Sequence, residues 1–151
     1  MAQTDTLIET SPERVFEVLM DTQCYGRWVV GSKYIRGEDP DWPAVGSSFH
    51  HAVGFGPITV KDHTRVEEIE PNRKLKLRAK ARPLGTAMVT LELHPAGDAT
   101  RVVMIEDPAD ALSALVFNPL THLLVRGRNV EALRRLKELA EHGGGAALRQ
   151  S

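Results

Sequence analysis

The sequence predicts an α+β domain in which a curved antiparallel sheet of about six to seven strands wraps around one long C-terminal helix. Apolar residues recur with a period of two between residues 32 and 108, as in half-buried strands, and the period becomes helical after Asn118. Short connections between the strands indicate antiparallel neighbours. A lone long helix can bury its apolar stripe only against the dry face of the sheet, so the sheet must curl around it.

Before the sheet, the sequence predicts one short strand and two short helices. Residues 4–9 form the strand candidate, and the Ser11-Pro12 pair then supplies an N-cap and a proline at the first helical position. Asp21 caps a second helix that runs to about Trp28. Two helices directly after the first strand are an unusual opening for a sheet protein.

One long helix closes the predicted domain. It begins at the Asn118-Pro119 pair, again a cap followed by proline, and runs to about His142, roughly 35 Å at 1.5 Å per residue. Its charged residues, Arg128 among them, cluster on one side, and the apolar residues of its C-terminal half cluster opposite. Residues 1–142 are therefore predicted to form a single domain, and residues 143–151 a flexible tail.

Composition and charge limit the class of protein. The 151 residues suffice for one domain with a sizeable core, and 42% hydrophobic and 26% charged residues are ordinary for a soluble globular protein. The net charge of −1 gives no support to a nucleic-acid partner. The sequence contains neither a secretory leader pattern nor an apolar stretch of ~20 residues, and Cys24 is its single cysteine. We therefore expect a cytoplasmic protein.

The dry face of the predicted sheet carries four polar residues among its apolar ones. His51, Asp62, Thr64 and Glu106 share the parity of the inward-facing apolar residues on their strands. A buried carboxylate requires partners or a shifted proton equilibrium. These residues therefore lie either at the wet ends of the strands or around a cavity that holds water or a ligand.

Two polar residues of the long helix favour the cavity. His122 and Asn129 fall within its apolar sector, and together with the polar strand residues they are typical of a small-molecule pocket with few polar contacts. The predicted lining of this cavity is Trp28, Phe49, His51, Val53, Val60, Asp62, Thr64, Leu77, Ala79, Val89, Leu91, Met104, Glu106, Phe117, His122, Val125 and Asn129.

The first turns of the long helix are apolar on nearly all sides and need a cover. The apolar residues 111–117 that precede the helix are the obvious neighbour. Three roles stay open for the whole segment 111–124: it completes the core, it forms a gate over the pocket, or it is a self-association surface.

Motifs spread over residues 4–142 resemble the START-like SRPBCC superfamily, often described as polyketide cyclase/dehydrase or lipid-transport-like. They are Ser11-Pro12, Val15-Phe16, Asp21, Tyr25 and Trp28, then Val45-Gly46-Ser47, Glu70-Pro71-Asn72-Arg73-Lys74-Leu75 and Thr100-Arg101-Val102, and finally Arg128-Asn129 with Leu133 and Leu136. The resemblance implies a helix-grip fold with an internal cavity for an apolar ligand. Members share no single catalytic constellation, so the resemblance assigns no catalytic residue.

Acid–base catalysis of the polyketide cyclase or dehydratase type is the alternative activity. Such an enzyme needs a base to remove an acidic C–H proton and donors to hold the enolate. The available bases are His51, Asp62, Glu106 and His122, with Asn129 and Tyr34 as donors. Burial would raise the proton affinity of the two carboxylates. A binding pocket needs the same groups, and the sequence does not separate the two activities.

Neither metal nor nucleophilic chemistry is predicted. His50 and His51 are adjacent on one strand and point to opposite faces, so regular geometry does not let both bind one ion. The spacings typical of zinc sites do not occur in the sequence, and we expect no metal and no other cofactor. Cys24 has no basic neighbour closer than Arg27, which gives little support to a reactive thiol.

Basic residues occupy one face of a strand in the middle of the sheet. Lys74, Lys76, Arg78, Lys80 and Arg82 form a stripe of about 26 Å at 3.3 Å per residue. The stripe is either a solvated outer face or a surface for transient contact with an anionic membrane. A nucleic-acid partner is disfavoured because no aromatic residue alternates with these basic residues.

The leading hypothesis is a binding protein rather than an enzyme. It binds, transports or sequesters a hydrophobic or amphipathic small molecule, such as a lipid, quinone or polyketide, in an internal cavity. The alternatives are the cyclase or dehydratase described above and an interaction module whose cavity is filled by side chains. A monomer and a homodimer are both compatible with the sequence.

Overall fold

Seven strands, three α-helices and a closing π-helical turn make up the described part of the chain. The computed structural model describes residues 2–29, 32–55, 57–80, 86–108 and 119–143. The strands are β1 Ala2–Ile8, β2 Ser32–Glu38, β3 Ser48–Phe55, β4 Ile58–Glu70, β5 Lys74–Lys80, β6 Thr86–Ala96 and β7 Ala99–Pro108. The helices are α1 Pro12–Met20, α2 Thr22–Trp28 and α3 Pro119–Glu138, and the π-helical turn is Leu139–Gly143.

All seven strands belong to one antiparallel sheet, in the order β1-β7-β6-β5-β4-β3-β2. From β2 to β7 each strand pairs with its neighbour in sequence, which is the meander that the alternating pattern predicts. The first strand returns to pair with the last, with Ala2 opposite Glu106. The predicted α+β class, with a curved sheet around a long C-terminal helix, is confirmed.

The two short helices begin at the caps that the sequence predicts. The Ser11 hydroxyl accepts a hydrogen bond from the amide of Arg14 at 3.3 Å, and the Asp21 carboxylate accepts one from the amide of Gln23 at 3.0 Å. Each cap satisfies an N–H group that has no partner within its own helix. The buried side of α1 consists of Val15, Phe16, Val18 and Leu19.

Three element ends differ from the prediction. The first strand begins at Ala2, two residues earlier than expected. Pro95 and Ala96 belong to β6 rather than to the turn, since Gly97, with a φ of +65°, allows a tight two-residue turn before β7. The last helix leaves α geometry at Leu139 and continues as the π-helical turn.

The main core lies between the inner face of the sheet and the helices. The C-terminal half of α3 contributes Ala132, Leu133 and Leu136, and the sheet contributes Val66, Leu75, Leu77, Leu91, Leu93, Val102 and Met104. Leu91 and Leu136 are completely buried. The polar inward-facing residues lie beyond this core, toward the other ends of the strands and the N-terminal half of α3.

Two predicted segments lie outside the described residues. They are residues 111–118 of the segment 111–124, for which three roles stay open, and the tail from residue 144 onward. Among the helices that the structure does describe, none combines the length and the apolar composition needed to cross a membrane.

Truncating a core side chain of α3 tests whether the helix is held by the sheet. We expect Leu136→Ala to lower the free energy of unfolding by about 2–5 kcal/mol, because it leaves a cavity at a completely buried position. Leu123→Ala, on the same helix at a position 66% exposed, should change it by less than about 0.5 kcal/mol. Urea denaturation measures both. Equal effects would contradict the packing described here.

Candidate functional site

The four polar residues predicted on the inner face of the sheet are buried. His51, Asp62, Thr64 and Glu106 expose 1%, 3%, 0% and 4% of their surface. The strand register sets His51 directly opposite Asp62 and Thr64 opposite Ala79. These positions are not at the wet ends of the strands, and each polar group therefore needs a partner inside the protein.

His51 is held by a hydroxyl group and by aromatic rings. Its Nε2 lies 2.9 Å from Thr64 Oγ1, and its ring packs against Tyr25 and Phe49 with centroids 5.6 and 5.4 Å away. Burial lowers the pKa of His51 to about 4, against the smaller opposing effect of the Asp62 charge. The imidazole is therefore neutral near pH 7.

Tyr25 of α2 lies near both His51 and the ion pair of Glu106 with Arg128. Burial raises the pKa of Tyr25 to about 12, while a hydrogen bond with the Thr64 side chain and the charge of Arg128 oppose the rise. The Tyr25 ring also meets Trp28, one helical turn later, edge-on at 5.7 Å. The phenol thus keeps its proton and stands beside both His51 and the acidic end of the site.

Glu106 is a buried carboxylate with two partners on α3. Arg128 Nη2 donates to its two carboxylate oxygens at 2.8 and 2.7 Å, and Asn129 Nδ2 donates to Oε1 at 3.2 Å. The ion pair supplies the opposite charge that a buried carboxylate requires. It also fastens the middle of α3 to β7.

The assignment of Arg128 to the charged outer side of the last helix is wrong. A helical wheel places the Cα atom correctly, but the long side chain reaches around the helix toward the buried charge of Glu106. Tyr25 is a site residue that the sequence pattern did not predict. The signal that could have found it is the spacing of three between Tyr25 and Trp28, which puts both rings on one face of α2.

The remaining predicted lining residues divide into three groups. Trp28, Phe49, Leu77, Leu91, Met104, Val125 and Asn129 are buried. Ala79 and Val89 are half-buried. The side chains of Val53, Val60 and His122, and the residue Phe117 altogether, lie outside the described part of the structure, as does Arg82 of the predicted basic stripe.

The inner face of the sheet keeps accessible surface at three positions with small or medium side chains. Ala79 lies opposite Thr64 and Ala87, and Val89 lies opposite Glu106, so Ala79, Ala87 and Val89 all face inward. All three are only half-buried, although their strands are flanked on both sides. Side chains covered by a closely packed helix would be fully buried, so this part of the inner face is not filled by apolar packing.

Four buried side-chain polar atoms of the described residues have no hydrogen-bond partner. Within the described ranges, the buried side-chain atoms without a hydrogen bond are Thr4 Oγ1, Arg14 Nη2, Trp28 Nε1 and His51 Nδ1. An unsatisfied buried group costs about 1–3 kcal/mol. Trp28 and His51 both pack against Tyr25, so two unsatisfied nitrogens belong to one aromatic group.

The adjacent histidines point to opposite faces, as predicted. His51 faces inward, whereas His50 is half-buried on the outer face, with its Nε2 3.2 Å from Asp39 Oδ1 and its ring centroid 6.4 Å from that of His63. Among the described residues, no group of three or more His, Cys, Asp or Glu side chains is arranged to hold a metal ion.

The basic face of β5 carries its own counter-charges. Lys74 Nζ lies 3.0 Å and Lys76 Nζ 3.9 Å from the Glu68 carboxylate, and Arg78 Nε lies 3.0 Å from Glu67 Oε1. A register shift in β4 interrupts the strict alternation just where these two acidic residues occur. The stripe is therefore less positive than the sequence of β5 alone indicates.

Fold and site together define a helix-grip protein of the START-like SRPBCC superfamily, as the resemblance implied. More narrowly, the chain belongs to the family described as polyketide cyclase/dehydrase and lipid transport, which matches residues 2–141. The comparison with curated proteins gave no match.

Solved structures share this fold at low sequence identity. A protein of unknown function from Staphylococcus aureus has a TM-score of 0.71 at 12% identity, over 93% of this chain and 92% of its own. The Aha1 dimer from Colwellia psychrerythraea has a TM-score of 0.68 at 17% identity, over 95% and 98%. DynU16, a putative protein in the dynemicin biosynthetic locus, has a TM-score of 0.69 at 16% identity, over 94% and 47%.

Removing one partner of the buried ion pair should be costly. We expect Arg128→Met to lower the free energy of unfolding by about 3–5 kcal/mol, because it leaves the Glu106 charge buried without its partner. The double variant Glu106→Leu with Arg128→Met should recover most of the loss. Arg134→Met, which breaks only exposed pairs with Glu131 and Glu138, should have little effect. Urea denaturation of the wild type and the three variants measures these free energies of unfolding. A double variant as unstable as Arg128→Met would contradict the assignment of a buried ion pair.

The neutral state of His51 predicts a pH dependence of stability. Its pKa is lower in the folded protein, about 4 against 6.5, so the unfolded chain binds more protons between these values and stability falls as the pH falls. Relative to His51→Gln, the wild type should lose about 3 kcal/mol between pH 7 and pH 4. His94→Gln, at an exposed position, should follow the wild type. Parallel curves for wild type and His51→Gln in urea denaturation would refute the prediction.

Proposed function

We propose that this protein binds a hydrophobic or amphipathic small molecule between the inner face of the sheet and α3. The observation that carries the proposal is the half-buried inner surface at Ala79, Ala87 and Val89, beside buried polar groups. An apolar wall with a few convergent polar groups is the usual form of a small-molecule site. Membership of a family described by lipid transport as well as by cyclase activity supports the same function.

The polar residues favour binding over the cyclase or dehydratase alternative. A general base works best with a pKa near the operating pH, and the pKa of His51 is about 4. Glu106 directs its oxygens at Arg128 and Asn129 rather than toward the open surface. Asp62 Oδ1 accepts a hydrogen bond from the amide of His63 at 3.2 Å. These contacts support a role in holding the fold and orienting a ligand.

The surroundings of the site fit a protein that acts in aqueous solution. The Glu67 and Glu68 counter-charges favour a solvated outer face on β5 over docking to an anionic membrane. Residues 1–142 are proposed to act as one binding domain in the cytoplasm, as a monomer or a homodimer, without a nucleic-acid partner.

A substitution that fills the inner face tests the proposal. We expect at least one member of a panel of lipids, quinones and aromatic polyketides to raise the melting temperature of the wild type. Ala87→Phe should abolish that shift, because the added ring occupies the inward-facing surface. Met88→Phe adds a ring to the outward-facing side of the same strand and should leave the shift intact.

Native mass spectrometry of the protein from its own source gives a second readout. A co-purified hydrophobic molecule that is present in the wild type and lost in Ala87→Phe would support the proposal. If no panel member shifts the melting temperature and no molecule co-purifies, ligand binding is rejected. Turnover of a model polyketone that is lost in both Asp62→Asn and His51→Ala would instead favour the enzyme.

A further inference from the structure

The ion pair beside the half-buried inner surface indicates which ligand charge the site accepts. We propose that the site selects uncharged ligands, and that Glu106 excludes anionic ones by neutralising Arg128. The assignment rests on the proposed binding function. It adds the charge class of the ligand and a residue that determines this specificity.

The ion pair lies next to the surface that the ligand is proposed to cover. Val89 is half-buried and faces inward, directly opposite Glu106 in the register of β6 and β7. Glu106 is 4% exposed, and the side chain of Arg128 is 32% exposed. A ligand that covers Val89 therefore adjoins two charges in a place with little water, where electrostatic interactions are strong.

The positive charge of Arg128 is already compensated. Its Nη2 donates to both oxygens of Glu106, at 2.8 and 2.7 Å, and Asn129 Nδ2 donates to Oε1 at 3.2 Å. A carboxylate of a ligand at this place would meet a neutralised guanidinium and a buried carboxylate of its own sign. Desolvation of such an anion without an opposite charge is strongly unfavourable.

A second guanidinium and a second carboxylate lie at the β2–β4 side of the site. Arg36 Nε donates to the backbone oxygen of His51 at 3.3 Å, and its Nη2 donates to that of Asp62 at 3.0 Å. With −1 for each of Asp62 and Glu106 and +1 for each of Arg36 and Arg128, the formal charges of these four groups cancel. This balance favours an uncharged ligand over either ion.

Two other titratable side chains of the site do not disturb the balance near neutral pH. Burial lowers the pKa of His51 to about 4 and raises that of Tyr25 to about 12. Neither group therefore changes its charge between pH 6 and pH 8. Any change in affinity over this range that is specific to an ionisable ligand comes from the ligand.

Ligands that differ in head-group charge test the assignment. The probes are decanamide against decanoate, which are similar in shape, and 1-decanol against decylammonium. In calorimetric titrations at pH 8, we expect the wild type to bind each uncharged molecule at least about tenfold more tightly than its charged counterpart, because the ion must be desolvated without a partner.

The variant Glu106→Gln tests the residue assignment. It keeps the size of the side chain but leaves Arg128 without its counter-charge, so the decanoate-to-decanamide affinity ratio should rise by at least about tenfold. Decanoate should also raise the melting temperature of this variant more than that of the wild type, since the ligand replaces the lost carboxylate. Glu92→Gln, on the outward-facing side of β6 between the buried Leu91 and Leu93, should leave the ratio unchanged.

A titration of the wild type alone removes any dependence on the folding of variants. Decanoate is almost fully ionised at pH 8, and its uncharged fraction rises roughly tenfold for each unit by which the pH is lowered toward 6. If the site selects the uncharged acid, the apparent affinity for decanoate rises by about the same factor. The affinity for decanamide should stay constant and controls for titration of the protein.

The outcomes separate the two proposals. Decanoate that binds the wild type as tightly as decanamide at pH 8, or with an affinity that does not rise at lower pH, overturns the charge assignment and leaves ligand binding standing. An unchanged ratio in Glu106→Gln overturns the role of Glu106. If none of the four molecules binds and the lipid and quinone panel is also negative, the proposed function is rejected and the charge assignment with it.

Discussion

The ion pair between Glu106 and Arg128 is the constraint on which the site depends. The carboxylate is buried on β7, and a buried charge is tolerated only with an opposite charge and hydrogen bonds around it. Both the guanidinium of Arg128 and the amide of Asn129 come from α3. The middle of the helix is thus held to the sheet by polar side chains, whereas its C-terminal half is held by buried leucines such as Leu133 and Leu136. The helix is therefore attached to the sheet by two different kinds of contact along its length.

The inward-facing side chains of the sheet also differ in size along the strands. Along one line across the strands, Leu75, Leu91 and Met104 are cross-strand neighbours and are buried against the helices. Along a parallel line, Ala79 and Ala87 are neighbours and stay half-buried. Because a core is stabilised by filling its volume, small inward-facing residues near the ends of β5 and β6 leave that part of the inner face uncovered. This uncovered surface is the observation that supports the proposed ligand site.

The sequence predicted this architecture wherever a local rule applied. Strand parity alone placed Asp62 and Glu106 inside, and the residue types at Ser11 and Asp21 located the two helix caps. It failed where a contact depends on distant residues. The direction of the Arg128 side chain can be predicted only if Glu106 is known to lie within its reach. The pairing of β5 with acidic residues of β4 depends on a register shift that breaks the period of two. Such contacts are set by tertiary geometry, which periodicity does not encode.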